Sequence, residues 1–510
     1  MKSMKLDIAG NAVVSTLWSG ASHYWLFGLG LVKTVFLARL VPPEYFGMVA
    51  IAQAWVTYFS IFRFDFRTVV VTMEDDSKNT LSVQYWLDNL LSWSGLILAG
   101  ICYLVSPSLL FLFGDVPVDW ISNVWLAVVV LLVVIGFDSL TSTPRYLIER
   151  SLRQDIIAKF TIFHAIVGVV CAIGLAFRGY YLEAILVDLA IPVLVIGVGS
   201  VWKTRWFPKL FWDKSIARKL LEFAFTLWTT GLLGKIVFQV DDWLVGTITK
   251  MRSRIWFSSG ILPVAYYSRA YSAGKMPMDI FAGMIGQIAL PLYSRSASKS
   301  LETLKNAYDN LTWLLTNTIF LTGVFSLIAT EELVSILLGS EWLPTVPLFR
   351  MMSGFVLLRP LYQNACQLLL AVRREKSMRR TVAYQAFFLI VVCPGAVYMW
   401  GAAGAAVSIS VMSVLGLFFA DKYVSQTLGS SSMRLYKFPI LTCIAAYGML
   451  LIVWPLIPDL FWLSALLKGV LCLAIFLIFI IIFDRKRLRE VSEVIMRILK
   501  ERRDRRKIDE

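Results

Sequence analysis

Runs of mainly apolar residues, each long enough to cross a bilayer as a helix of about 20 residues, return along this chain with little between them. Fourteen are expected, at roughly 11–39, 44–68, 80–105, 119–144, 155–177, 180–202, 218–247, 257–291, 306–330, 344–371, 379–400, 402–425, 436–456 and 459–483. No loop between them leaves room for a soluble catalytic domain. With 58% hydrophobic and 16% charged residues and a mean hydropathy of +0.70, the chain has more apolar surface than a water-soluble core hides. The fold class is therefore an all-α polytopic membrane protein. The eighth run carries Pro263 and Pro277 and exceeds one straight span, so it is expected to be bent or broken.

The net charge of +15 raises the question of nucleic acid, and the placement of the charges answers it. Lys and Arg gather in alternate short loops, such as Arg145–Lys159, Lys203–Lys219 and Arg373–Arg380, and in a basic tail after Phe483. The intervening loops are almost free of them, and the one holding Glu331, Glu332 and Glu341 is acidic. This alternation puts both termini in the cytoplasm, with the basic loops facing the inner leaflet. The cluster Lys250, Arg252 and Arg254 breaks the pattern. The first residues lack the arrangement of a cleaved signal peptide and read as a cytoplasmic leader. The tail from 485 onward reads either as a basic amphipathic helix on the leaflet or as a solvated charged end.

Six cysteines are scattered through apolar runs, and there are only two histidines, His23 and His164. Neither a disulfide framework, a zinc site nor a Ser-His-Asp triad is expected. No Gly-rich phosphate loop of the Walker type occurs. The expectation is a non-enzyme without cofactor or metal.

Two weak internal matches share an offset. LARLVPPEYFGMVAIA (37–52) resembles GILPVAYYSRAYSAG (260–274), and SLLFLFGDVPVDW (108–120) resembles LVSILLGSEWLPT (333–345). They divide the chain into an N-terminal six-helix lobe (1–205), a second six-helix lobe (206–430), two further helices (431–484) and the basic tail (485–510). Parallel repeats of this kind leave a central crevice between the lobes. Spans 1, 2, 7 and 8 are expected to line it, and they hold Lys33, Arg63, Asp65, Arg67, Lys235, Asp241, Asp242, Arg269, Lys275 and Asp279. Charge inside a span costs about 2.5–3.5 kcal/mol even on the mildest scale, so each of these needs a partner or water. The basic majority suits an anionic cargo, with Arg meeting phosphate oxygens in pairs. Lys33, Arg63, Lys235, Arg269 and Lys275 are the candidate substrate-binding residues. Asp241 and Asp242 are candidates for binding a coupling Na⁺ or H⁺ or for balancing charge. The plainer alternatives are pairing of Lys33 with another helix, snorkelling of Arg39 and Arg63, an internal pair of Lys235 with Asp242, topological or pairing roles for Asp138, Glu183 and Asp188, and pairing of Arg350 and Arg359 with acids of the second half.

VDDWLVG (240–246), YYSRAYSAGKMP (266–277) and IALPLYSR (288–295), with ARLVPPEYFGMVAIAQ and LLGSEWLPTVPLFRMM (337–352), resemble the signature region of the polysaccharide transporter family. This is the branch of the multidrug/oligosaccharidyl-lipid/polysaccharide exporter superfamily that holds the Wzx-type flippases. The resemblance implies two six-helix lobes plus two helices in the bacterial inner membrane. It implies alternating-access transfer of an undecaprenyl-pyrophosphate-linked oligosaccharide for exopolysaccharide, capsule or O-antigen synthesis. The implied partners are the lipid-linked oligosaccharide, membrane lipids, a polysaccharide polymerase and chain-length proteins, and no nucleic acid. A cation-coupled drug exporter and a peptidoglycan-precursor flippase are the alternatives within the superfamily. The segment Thr247–Leu262 is longer than the family pattern and reads as an insertion.

Overall fold

The computed structural model describes residues 25–61, 63–64, 66–73, 77–105, 120–151, 153–225, 228, 244–245, 261–453, 461–483 and 485. Every regular element among them is helical. In order they are α1 (Trp25–Leu40), α2 (Pro43–Phe59), α3 (Phe66–Thr72), α4 (Lys78–Val105), α5 (Ile121–Arg150), α6 (Gln154–Phe177) and α7 (Tyr181–Thr204). A helix over 214–225 follows, α8. Then come α9 (Ile261–Ala297), α10 (Leu301–Ile328), α11 (Thr330–Leu337), α12 (Thr345–Met351), α13 (Ser353–Ala371), α14 (Glu375–Trp400), α15 (Ala402–Leu428), α16 (Met433–Val453) and α17 (Phe461–Phe483). Among the described residues seven helices are long and apolar enough to cross a membrane, and α1 with α2 forms an eighth candidate bent by 119°.

Local chemistry sets several of these boundaries. Pro42 and Pro43 stop α1 and start α2, because Pro43 occupies the first helical turn, where a missing N–H costs nothing. Ser300 caps α10, its Oγ accepting from the Thr303 amide at 3.0 Å. Gly401, at φ +60°, takes the left-handed conformation that joins α14 to α15. Just beyond it Gly404 lies against the Ala396 backbone, where a Cβ would come within 2.1 Å of the carbonyl oxygen.

Several boundaries differ from the sequence expectation. α9 is not broken: it runs through Pro263 and Pro277 as one helix. Pro263 lies in the first turn, and prolines inside membrane helices are tolerated where neighbours satisfy the freed groups; Pro144, Pro192, Pro360, Pro394 and Pro439 also sit inside continuous helices. The run 344–371 divides at Met352 into α12 and α13. The second span stops at Phe59 rather than 68. α5 extends to Arg150, so Arg145 belongs to a helix and not to a loop.

Contacts divide the chain into two units. One takes the described residues up to Arg269 with Leu337–Trp342 and Ile390–Ala405; the other takes Ala270–Ile336, Leu343–Leu389 and the described residues from Ala406 onward. In the first, α5 packs on α2, α4 and α7, and α7 packs on α6. An apolar cluster of Phe66, Val69, Leu81, Leu87, Leu220 and Ala224 ties α3, α4 and α8 together. In the second, α10 packs on α13, α16 and α17, around a core that includes Tyr293, Tyr308, Phe320, Leu368 and Phe476. Within that core the Tyr293 hydroxyl donates to Asn364 at 2.8 Å, and the Asn364 amide donates to Thr312 at 3.0 Å.

Candidate functional site

Residues of three of the sequence motifs, Ala38 and Phe46, Tyr266 and Arg269, and Trp342, meet in the first unit around Arg269. The first turns of α9 carry Tyr266 and Arg269 against the start of α2. The Arg269 guanidinium lies 4.2 Å from the centre of the Phe46 ring and 5.0 Å from that of Trp342. Trp342 is fully buried and meets Phe46 and Tyr266 edge-on, at 5.4 and 6.1 Å between ring centres. Its indole N–H donates to the Ala38 carbonyl at 2.9 Å. That carbonyl lies in the last turn of α1, where its helical donor would be the amide of residue 42, a proline. The indole thus satisfies an acceptor that the helix cannot. The result is a rigid aromatic enclosure holding one cation. Such contacts contribute about 0.5–2 kcal/mol, more when dry. Among the described residues no carboxylate forms an ion pair with Arg269.

One turn along α2 from Phe46 a cavity of about 400 Å³ opens. Gln53, Thr57 and Tyr58 of α2 and Ser268 of α9 supply its polar lining, with Leu131 and Ile135 of α5 as apolar wall. None of its lining residues is charged. Ser268 lines this hollow and precedes Arg269 in the chain, while the Arg269 guanidinium itself is turned to Phe46 and Trp342. Such a surface suits a ligand rich in hydroxyls.

The other expected site residues are distributed as follows. Lys33 on α1 is ion-paired with Asp188 on α7 at 2.6 Å; the two line a cavity of about 50 Å³ together with His164. Arg63 donates to Asp138 at 2.5 Å, and Arg145 holds the other oxygen of that carboxylate at 2.9 Å. Lys275 is half-buried on α9 in the second unit and forms no ion pair among the described residues. Lys235, Asp241 and Asp242 lie outside the described residues. The pairing alternatives named for Asp138 and Asp188 are therefore the arrangement observed. Arg350 likewise pairs with Glu331 at 3.1 Å, whereas Arg359 donates to Gln385 at 2.5 Å rather than to an acid.

Sequence reasoning passed over three features. Trp342 was visible only as one letter of a motif. Asp88, inside α4, is buried among hydroxyls of α4 and α5. Lys468 of α17 is buried against Glu332 and Ser464. For the last two the signal was the charge itself inside an apolar run.

Comparison with known proteins places this architecture. A family model described as polysaccharide biosynthesis protein matches residues 36–347 of the 510. The chain is 21% identical over 317 residues to the teichuronic acid biosynthesis protein TuaB of Bacillus subtilis, covering 61% of this chain and 60% of TuaB. It is 21% identical over 340 residues to the succinoglycan biosynthesis transport protein ExoT of Rhizobium meliloti, covering 66% of this chain and 64% of ExoT. The matches thus span somewhat under two thirds of these relatives' length. Among solved structures, the lipid II flippase MurJ in an inward closed conformation superposes with a TM-score of 0.71, at 14% identity, over 93% of this chain and 100% of that one. At that identity the likeness is one of fold, that of an all-helical multi-pass membrane protein. The family match covers more than half of the sequence, and the chain belongs to the polysaccharide biosynthesis protein family.

Proposed function

We propose that this protein moves a lipid-linked oligosaccharide repeat unit from the inner to the outer leaflet of a bacterial inner membrane. The cargo is a polyprenyl pyrophosphate bearing the sugars, the mechanism alternating access, and the product an exopolysaccharide, capsule or O-antigen. The reading is transport and not catalysis. The observation that carries it is the Arg269 guanidinium, enclosed by Phe46 and Trp342 with no carboxylate pairing with it among the described residues, on a helix whose Ser268 lines an uncharged polar cavity. A cation so placed favours a phosphate oxygen, and amide and hydroxyl groups suit sugar hydroxyls. A cationic drug would meet repulsion there. The names of the relatives, biosynthesis of teichuronic acid and transport in succinoglycan biosynthesis, support the same class of cargo.

In this reading Arg269 leads the site. Lys33 and Arg63, whose charges are met by Asp188 and Asp138, join it when the crevice opens. Lys235 and Lys275 add positive charge, and Asp241 and Asp242 balance it or bind Na⁺ or H⁺. The termini lie in the cytoplasm, and a polymerase and chain-length proteins receive the product. The test compares Arg269→Gln with Arg269→Lys in a strain dependent on this protein, with protein level measured alongside. The expected result is loss of surface polymer with glutamine and partial retention with lysine. Full export by the glutamine variant at normal protein level would overturn the site. Proteoliposomes containing only this protein and labelled lipid-linked sugar test the activity; no leaflet exchange above empty vesicles would overturn the function.

A further inference from the structure

Among the buried carboxyls of the described residues, Asp88 and Asp421 form no ion pair, and Asp88 is the one bonded to hydroxyls without a backbone amide. It is 2% exposed, in α4 and a few turns inside an apolar span. Its partners are hydroxyls alone. Oδ2 lies 2.7 Å from Ser142 Oγ of α5 and Oδ1 lies 3.4 Å from Ser92 Oγ, one turn on in α4. Asp138, nearby on α5, has a guanidinium on each oxygen, from Arg63 and from Arg145. The two carboxyls thus sit in opposite settings. Asp138 is locked as an anion, while Asp88 has no direct ionic partner among its hydrogen bonds.

The hydrogen bonds around Asp88 close in either protonation state. The Ser142 hydroxyl has one proton and two acceptors in reach, Asp88 Oδ2 at 2.7 Å and the Ser139 carbonyl at 3.0 Å. If Asp88 is ionised, Ser142 donates to it. If Asp88 carries a proton on Oδ2, it donates to Ser142 Oγ, and Ser142 turns to the Ser139 carbonyl. The change needs only rotation of one hydroxyl. One turn before Asp88, Gln84 is fully buried and accepts from Thr143 Oγ1 at 3.0 Å, while its amide nitrogen has no partner. This orphan amide is a second polar group in the same α4–α5 seam whose bonding is incomplete. The charged and titratable groups near Asp88 are Arg63 before α3 and Asp138 and Tyr146 on α5, with Arg145 reached through Asp138; Arg67 on α3 is engaged by Glu149 at 2.5 Å. With Asp88 ionised the group Arg63, Arg145, Asp138 and Asp88 is neutral, and with it protonated the group carries one positive charge. A metal cation would meet two guanidinium groups; a proton needs no such room.

We propose that Asp88 is an intramembrane proton-binding site, loaded and emptied through the Ser142 hydroxyl. Its occupancy sets the net charge of the group it forms with Arg63, Asp138 and Arg145. The proposal holds whatever the chain transports.

Infrared difference spectroscopy of the full chain in lipid vesicles tests it, with the pH stepped between mildly acidic and mildly alkaline buffers. A protonated-carboxyl C=O band should appear on the acid side, move when aspartate carries a ¹³C side-chain label, and vanish in Asp88→Asn. If the asparagine variant folds poorly, Asp88→Glu keeps the test valid, because its band should no longer move with the aspartate label. In Ser142→Ala the band should still form at equilibrium, at a shifted frequency, but more slowly after the pH step, since the hydroxyl that passes the proton is gone; an unchanged rate would overturn the role given to Ser142. Absence of an aspartate band in wild type, or an unchanged band in folded Asp88→Asn, would overturn the proposal. So would loss of the band on replacing choline chloride with sodium chloride at fixed pH, which would make the site one for Na⁺.

Discussion

The most demanding test of the packing is at Lys468. Its side chain is 2% exposed and that of Glu332 7%, and the Lys468 ammonium bonds Glu332 Oε1. Ser464 Oγ donates to the same oxygen at 2.9 Å. Lys468→Met keeps the length of the side chain and removes only the charge. The Glu332 carboxylate is then buried with a hydroxyl as its remaining named partner. Breaking a buried pair from one side costs about 3–5 kcal/mol. Replacing both residues, Lys468→Met with Glu332→Leu, removes the stranded charge and should recover most of that loss. What stays lost is the Ser464 hydrogen bond, about 1 kcal/mol. The assay is reversible unfolding in mixed detergent micelles, with wild type, both single variants and the double variant forming a cycle. A coupling energy of several kcal/mol is expected. A Lys468→Met protein as stable as wild type, or a double variant less stable than either single one, would refute the reasoning.

Three further outcomes follow from separate features. Tyr293→Phe leaves the buried Asn364 carbonyl oxygen without its donor and should lower stability by about 1–3 kcal/mol; an unchanged thermal midpoint would sink the assignment. Gly404→Ala forces a Cβ to within 2.1 Å of the Ala396 carbonyl oxygen, whereas a Cβ at Gly395 meets nothing within 4 Å. The first should therefore cost about 1–3 kcal/mol and lower the folded yield, and Gly395→Ala should be neutral. Asp213 Oδ1 accepts from the amides of Ser215 and Ile216 at 2.7 and 3.1 Å and from the Ser215 hydroxyl at 2.6 Å. These bonds, the hydroxyl first, hold its carboxyl below the usual range. The cap is therefore present above the unfolded value of about 3.9 and is lost as pH falls through the lower folded value. Amide exchange over 214–220 should be faster in Asp213→Ala than in wild type near neutrality, and the gap should close only in strong acid; a gap independent of pH would contradict the cap.

The helices were legible because apolar runs and prolines act locally. Pro42 and Pro43 announce the end of α1, and the sequence of α5 to α7 needs little beyond hydropathy. The division at Met352 was not legible, since no proline or polar run marks it. The continuity of α9 was hidden by a rule calibrated on soluble helices, in which proline breaks what a packed membrane helix tolerates. At the site the charges were visible and their partners were not. Lys33 finds Asp188 across 155 residues and Arg63 finds Asp138 across 75, separations at which no spacing rule operates. Arg269 stood out as a charge in a motif, but its setting depends on Trp342, whose indole reaches back 304 residues to Ala38.

That reach ties two distant positions into a single requirement. The Ala38 carbonyl is available to Trp342 because residue 42 is a proline. A residue with an amide hydrogen at 42 would offer α1 a donor of its own, and the indole would face a competitor for its anchor. The ring under Arg269 would then be free to tilt, though neither the ring nor the cation had changed. Pro42 thus acts as an address: it leaves one backbone oxygen vacant, and that vacancy decides where the aromatic plate is fastened. The residue at 38 itself contributes only a carbonyl and a small side chain. Identity can drift there as long as the side chain stays small, while Pro42 and Trp342 are expected to change together or not at all.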